Sequence, residues 1–403
     1  MLNPYHPGPG LAPAFLAGRG SELAEAAAAA GQTSGGLGAA PLVYLGLRGV
    51  GKTVLLRAIT EQHLGDAFVT IAVEAERARP FSEVMTESVA AGVKRFEKLG
   101  RRAEAAAKRL LAALPAVSFE LPGGVGSLSL AHGTFDERPE VKSLVAAVGE
   151  LSSELRAGGK ALAITVDEAQ EADLPTLRAL LRAVHASLGT ENSILAIFAG
   201  TPNVRVHLGR AHTYAERFTY AELTMLGSAE TRRALVEPAE LTSARFADDA
   251  LQRLIELSAG YPYFVQLYGS YAWQADDDRI IDLGDVATAV PLVEKRLDDG
   301  FFRVRLDRLT PREIGYVLAL GSLGPGPHAV SQVAELVGRT TREASSIRNN
   351  LVVKGVVYGP VPGAVAFSVP LFERFLERHK AELQRLQEAP RFDQRTSGFR
   401  GVK

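Results

Sequence analysis

The chain has 403 residues, 46% of them hydrophobic and 23% charged, and no Cys. It is long enough for two or three cores, has globular composition, and excludes disulfides, thiol nucleophiles and Cys-based zinc sites, which fits a reducing, cytoplasmic setting. No apolar run reaches the roughly 18 residues a bilayer span requires, so no membrane partner is expected. The net charge of −1 is unevenly spread: residues 301–403 hold 16 Lys/Arg against 9 Asp/Glu, leaving 29 against 37 in residues 1–300. A basic C-terminal part suggests a polyanion partner, with chance placement beside an acidic neighbour as the alternative.

In chain order, residues 1–10 are dense in Pro and Gly and lack a basic stretch followed by an apolar core. They read as an extended lead-in, not as a secretory signal. An apolar run from Pro41 then enters Gly46, Leu47, Arg48, Gly49, Val50, Gly51, Lys52 and Thr53, after which Val54 begins a helical pattern. This is G-x-x-x-x-G-K-[ST] between a strand and a helix. Glycines let main-chain N–H groups turn toward phosphate oxygens, and the helix N-terminus adds partial positive charge. Lys52 would reach the β- and γ-phosphates and the Thr53 hydroxyl would ligate Mg²⁺.

Apolar runs at 68–73, 161–166 and 194–199 predict further buried strands, with helices at 140–155 and 174–188 between them. Such alternation predicts an α/β fold, a parallel sheet with helices on both faces. An insertion at about 82–135 interrupts it, helical over 82–114 and then patterned as a β-hairpin around Pro122, Gly123 and Gly124.

The strand 161–166 runs into Asp167 and Glu168 at the sheet edge where ligands bind in such folds. Asp167 would hold Mg²⁺ and Glu168 would polarise the attacking water. After 194–199 comes Gly200-Thr201-Pro202-Asn203. Thr201 is the first candidate for a γ-phosphate or water contact and Asn203 the second, while a plain turn suits the same residues. Arg210 or Arg217 would serve as an arginine finger on a neighbouring copy's nucleotide, or else lie in surface ion pairs. The eight His have no metal-ligand spacing.

Residues 228–300 read as helical throughout, with caps at Ser228 and Asp282 and breaks at Pro238 and Gly260. Thr310 and Pro311 open another helix, followed by helical stretches 330–337 and 341–353 and β-like runs 356–358 and 364–369. The tail beyond about Pro390 is polar.

Together, Leu16 to Leu23 with its Gly18-Arg19, the loop 46–53, Val166 to Gln170, and Gly260-Tyr261-Pro262-Tyr263 resemble AAA+ ATPases. The likeness is to the bacterial and archaeal branch near the origin-recognition initiators and the STAND switch ATPases. It implies a core at 14–227 after an extension 1–13, a helical lid at 228–304, a winged helix at 305–380 and a tail at 381–403. It makes Arg19, Tyr261 and Pro262 nucleotide contacts. Initiators usually start the lid helix with Arg; Gly-x-Pro here is closer to STAND proteins, which turn nucleotide over slowly. In the winged helix, 341–353 would be the recognition helix, offering Arg342, Ser345, Arg348 and Asn349 with Arg339 beside it. The expected function is a Mg-ATP-binding, ATP-hydrolysing switch that presents this module to double-stranded DNA or a protein partner. ATP and Mg²⁺ are the expected ligands, and homo-oligomers would form if an Arg acts across subunits. The alternative is a DNA-binding regulator or docking module whose nucleotide site is structural or hydrolytically inactive.

Overall fold

Side chains on both faces of the three central strands are buried, and that decides the architecture around the glycine loop. The computed structural model describes residues 2–8, 10–98, 100–114, 139–190, 192 and 194–388. The strands are β1 (Leu42–Gly46), β2 (Phe68–Glu74), β3 (Ala161–Asp167), β4 (Ile194–Gly200) and β5 (Thr219–Leu223). They form one sheet in the order β2-β3-β4-β1-β5, with every pairing parallel. In β4, Ile194, Ala196 and Phe198 join one apolar cluster, while Leu195, Ile197 and Ala199 join another. This two-residue alternation gives the sheet two buried faces.

The first face is covered by helices Arg101–Ala113, Pro139–Ala157 and Leu174–Ser187, through Leu110, Leu144, Leu151, Leu177 and Leu180. The second is covered by Gly20–Ser34 and Lys52–Ile59, through Ala26, Ala30, Leu55 and Ile59. Each such Leu contributes roughly 1.5–3 kcal/mol by leaving water. Because every strand is parallel, Gly46, Glu74, Asp167 and Gly200 all end on one edge of the sheet.

The fifth strand, β5, is absent from the sequence expectation, because only Leu223 in it is fully buried. The expected helical insertion is present as Phe81–Lys98 and Arg101–Ala113, separated by Gly100 at φ 113°. The hairpin expected around Pro122 lies outside the described residues. The start of the chain departs from a plain lead-in. Tyr5 is 3% exposed and its hydroxyl donates to Leu235 O, and Arg57 Nη1 donates to Gly10 O at 2.7 Å.

The described chain divides into two units, Met1–Ser243 with Pro262–Gln266, and Ala244–Tyr261 with Leu267–Lys403. The expected break at Pro238 does not occur: it lies buried within helix Ser228–Glu240, where a Pro removes one N–H donor just before the end. That helix is preceded by Gly227 at its N-cap, with Ser228 already helical. Gly260, at φ 67°, does separate helices Asp248–Ser258 and Pro262–Ala275. The 228–300 stretch is also not helical throughout, since Arg245–Phe246 pairs in parallel with Ile280–Ile281. Two residues per strand are too few for any periodic signal. Asp282 caps Leu283–Arg296, accepting from the N–H groups of Gly284 and Asp285.

The second unit continues into Pro311–Ser322, His328–Ala329, Val330–Leu336, Thr341–Val353, Val357–Tyr358 and Ala364–Phe367. Its three short strands form an antiparallel sheet with Ala364–Phe367 in the middle. Phe302, Phe372 and Phe375 stack beneath it, with ring centroids 5.1–5.7 Å apart. The polar tail beyond 388 lies outside the described residues. Among the described residues no helix is long and apolar enough to cross a membrane.

Candidate functional site

The loop between β1 and helix Lys52–Ile59 is built by its glycines. A Cβ on Gly46 would stand 2.5 Å from Leu223 O, so only Gly lets β1 pass β5 there. Gly49 and Gly51 have φ of 84° and 98°, a region that costs other L residues strain. Lys52, 5% exposed, donates from Nζ to Gly46 O at 3.0 Å and Leu47 O at 2.9 Å, so two of its three protons hold the loop's own carbonyls. Burial lowers its pKa; the charges of Glu168 and Asp167 oppose this and that of Arg48 adds to it. Arg48 is exposed, Val50 is buried and Val54 half-buried.

Thr53 Oγ1 donates to Asp167 Oδ2 at 2.5 Å. Asp167 is 6% exposed, and its other oxygen, Oδ1, accepts the N–H of Glu168 at 2.8 Å. Glu168 takes φ 48°, a left-handed conformation uncommon for a non-glycine residue. It turns the chain off the sheet into the short turn Ala169–Glu171. Gln170 Nε2 donates to Glu168 Oε2 at 2.5 Å, and Gln170 Oε1 accepts the N–H of Thr201 at 3.0 Å. The phosphate loop, Asp167, Glu168 and the end of β4 are therefore one connected constellation.

Arg19, 5% exposed, donates to Gly18 O, Val50 O and Thr224 O, each at 2.9 Å. It ties the glycine loop to the chain beyond β5. Burial lowers its pKa against the opposing charges of Glu22 and Glu230. Arg217, like Arg210, is exposed and is not joined to the Asp167 constellation by any contact among the described residues. Tyr261 is 1% exposed, precedes helix Pro262–Ala275, and meets the Phe301 ring edge-on at 6.0 Å.

Two participants escape the sequence reading. Glu74, the last residue of β2, lies in register with Asp167. Its pKa is raised by burial and by the charges of Asp167, Glu168 and Glu76. Gln170 is the other. Its signal was its place two residues after Glu168; its partner Thr201 is visible only in three dimensions.

In the second unit, helix Thr341–Val353 buries Ala344, Ile347 and Leu351 and exposes Arg342, Ser346, Asn349 and Asn350 on the opposite side. Ser345 and Arg348 are half-buried, the Ser345 hydroxyl donating to Arg342 O at 2.6 Å, and Arg339 is exposed.

Comparison with known proteins adds to this geometry. A family model described as "AAA ATPase domain" matches residues 16–197, and one described as "Domain of unknown function (DUF8462)" matches residues 299–376. No curated protein matches the chain significantly. Among solved structures, the Walker-type ATPase of Pyrococcus abyssi is similar at a TM-score of 0.59 and 15% identity, over 90% of this chain and 96% of that one. Cdc6p of Pyrobaculum aerophilum follows at 0.47 and 15%, over 95% and 97%. Orc1 of Aeropyrum pernix, solved in complex with DNA, gives 0.46 and 14%, over 93% and 96%. Identities this low speak for fold alone. The loop at 46–53 and the acid pair after β3 thus sit at one edge of a parallel sheet, within the residues 16–197 that match the AAA ATPase domain model.

Proposed function

We propose that the first unit binds Mg-ATP, hydrolyses it slowly, and couples nucleotide state to the C-terminal module. The observation that carries this is the 2.5 Å contact between Thr53 Oγ1 and Asp167 Oδ2 beside the buried Lys52. A hydroxyl and a carboxylate are the hard oxygen donors Mg²⁺ takes, usually with substrate phosphates completing its shell. Thr53 and Asp167 would hold the ion, which when bound neutralises charge on the phosphates. Among the described residues no cluster of three or more His, Asp or Glu side chains is arranged to bind a metal ion.

The residues divide the work. Main-chain N–H groups of 46–53 cradle the phosphates, and Lys52 exchanges its carbonyl partners for phosphate oxygens. Glu168 takes a proton from a water whose oxygen bonds to the γ-phosphorus. The bond to the β,γ-bridging oxygen breaks and ADP leaves with that electron pair. Thr201 stands at the γ-phosphate end, and Arg217 reaches a neighbouring copy's nucleotide. Arg19 acts on nucleotide through the loop it ties. Coupling requires that ATP bind one arrangement of the chain more tightly than another.

The order of elements from Pro311–Ser322 to Ala364–Phe367 supports reading 305–380 as a winged helix. The exposed Arg342, Asn349 and Asn350, with Arg339, favour a DNA partner. A protein partner is favoured instead by the exposed Leu336, Val353 and Val361.

Titration with a fluorescent ATP analogue, with and without Mg²⁺, and a turnover assay test the reading. Lys52→Ala is expected to abolish binding, and Glu168→Gln to slow turnover about a hundredfold or more while leaving binding intact. Undiminished binding by the Lys52 variant refutes it.

A further inference from the structure

We infer that Gln170 is a positioning residue that fixes the Glu168 carboxylate and ties it to the end of β4. The inference rests on the proposal that Glu168 activates water for ATP hydrolysis. It comes from a side chain whose two ends have different partners. Nε2 donates to Glu168 Oε2 at 2.5 Å, and Oε1 accepts the N–H of Thr201 at 3.0 Å. A carboxylate only accepts and a main-chain N–H only donates, so chemistry fixes which way the amide points. Among side chains of this length only Gln can satisfy both at once. Glu lacks the donor, and Lys and Arg lack the acceptor. Nε2 also stands 3.5 Å from Glu171 Oε1, a longer contact that leaves the Glu168 bond dominant.

The surroundings hold this bridge in place. A Cβ on Gly200 would lie 2.3 Å from Gln170 Oε1, so the residue before Thr201 has room for Gly alone while the amide stays put. A second tie, His207 Nε2 to Ala172 O at 2.7 Å, joins the same turn to helix Val204–Ala211. The turn carrying Glu168 is thus fastened to the chain after β4 at two points. With Oε2 engaged by the amide, Oε1 of Glu168 is the oxygen presented to water. Any displacement of Thr201 is passed to the carboxylate through one side chain.

The test compares the unaltered chain with Gln170→Leu, which removes both bonds at similar volume, and Gly200→Ala, which pushes the amide aside without changing it. Single-turnover ATP hydrolysis, affinity for a fluorescent ATP analogue and thermal midpoint are measured for each. Both variants are expected to lose about tenfold or more in rate, since small misplacements of a reacting group are costly. Affinity should stay within about threefold, the pattern of an interaction made only in the transition state. In a Glu168→Gln background, Gln170→Leu is expected to add nothing. An unchanged or faster rate in both variants, or an equal loss in that background, overturns the role of Gln170. An unaltered chain that binds Mg-ATP without any turnover overturns the hydrolysis proposal itself, and the positioning role falls with it. An active chain indifferent to both substitutions removes Gln170 alone.

Discussion

Thr53 Oγ1 and Asp167 Oδ2 meet at 2.5 Å although 114 positions separate them in sequence. One opens the helix after the glycine loop; the other closes β3. If the pair shares a Mg²⁺ ion, Thr53→Ala and Asp167→Asn should each reduce the gain in ATP affinity that Mg²⁺ brings. The expected loss is about tenfold, or roughly 1.4 kcal/mol. Affinity in EDTA should change much less. Paired titrations of a fluorescent ATP analogue read this directly, and an undiminished Mg²⁺ effect in both variants rules the pair out as ligands.

Burial holds Lys52 below its ordinary 10.5, against the pull of Glu168 and Asp167 and with the help of Arg48. Polyphosphate favours the charged amine, so binding raises its pKa and takes up a proton. Affinity for ATP should therefore fall as pH rises through the free chain's Lys52 value, which lies below 10.5. Stability has the opposite sign. The unfolded chain binds more protons at this residue, so its contribution rises with pH through that same window up to 10.5. Calorimetry from about pH 7 to pH 10 should record weakening binding with proton uptake, and Lys52→Arg should flatten the profile.

Glu313 is 3% exposed and accepts from Lys354 Nζ and from the Thr310 N–H, each at 2.7 Å. Burial alone would raise its pKa, but bonds from Lys354 and Thr310 hold it below the ordinary 4.5. A lowered carboxylate stabilises above its unfolded value and loses that contribution as pH falls through the folded one. Lys354→Met leaves the buried carboxylate short of a partner and should cost about 2 kcal/mol in urea unfolding of the second unit. A loss near zero would place Glu313 in contact with water.

If Arg339 and Arg342 reach DNA phosphates, replacing either with Ala should weaken retention of duplex DNA evenly across sequences. Each lost contact should also reduce the slope of log affinity against log salt by about 1. Retention that ignores salt, or survives both substitutions, points to a protein partner for the exposed face of helix Thr341–Val353.

The glycine loop was legible because its spacing is itself the machinery: the same residues form the turn, the phosphate cradle and the helix start. Asp167 and Glu168 were legible because a continuous apolar strand runs into them. Strand order was not, since inserting β1 between β4 and β5 is decided by helices packing on two faces, which no local window contains. Nor was β5, whose Thr219, Tyr220 and Ala221 are only half-buried, leaving no apolar run. Tyr5 lies among Pro and Gly with no periodic neighbours, so its burial could not be read. Gln170 stood in plain view beside Glu168, but an amide discloses its role only once its second partner is found.

The first dozen residues carry a practical consequence. Gly10 accepts from Arg57, and a Cβ built on it would lie 4.0 Å from Thr53 Cγ2, while Tyr5 is anchored on Leu235. The leading strand of chain is thus a buttress for the very helix that carries Lys52 and Thr53. Trimming the protein at residue 14, where a homology boundary would naturally be drawn, strips the outer brace from the helix meant to grip the nucleotide.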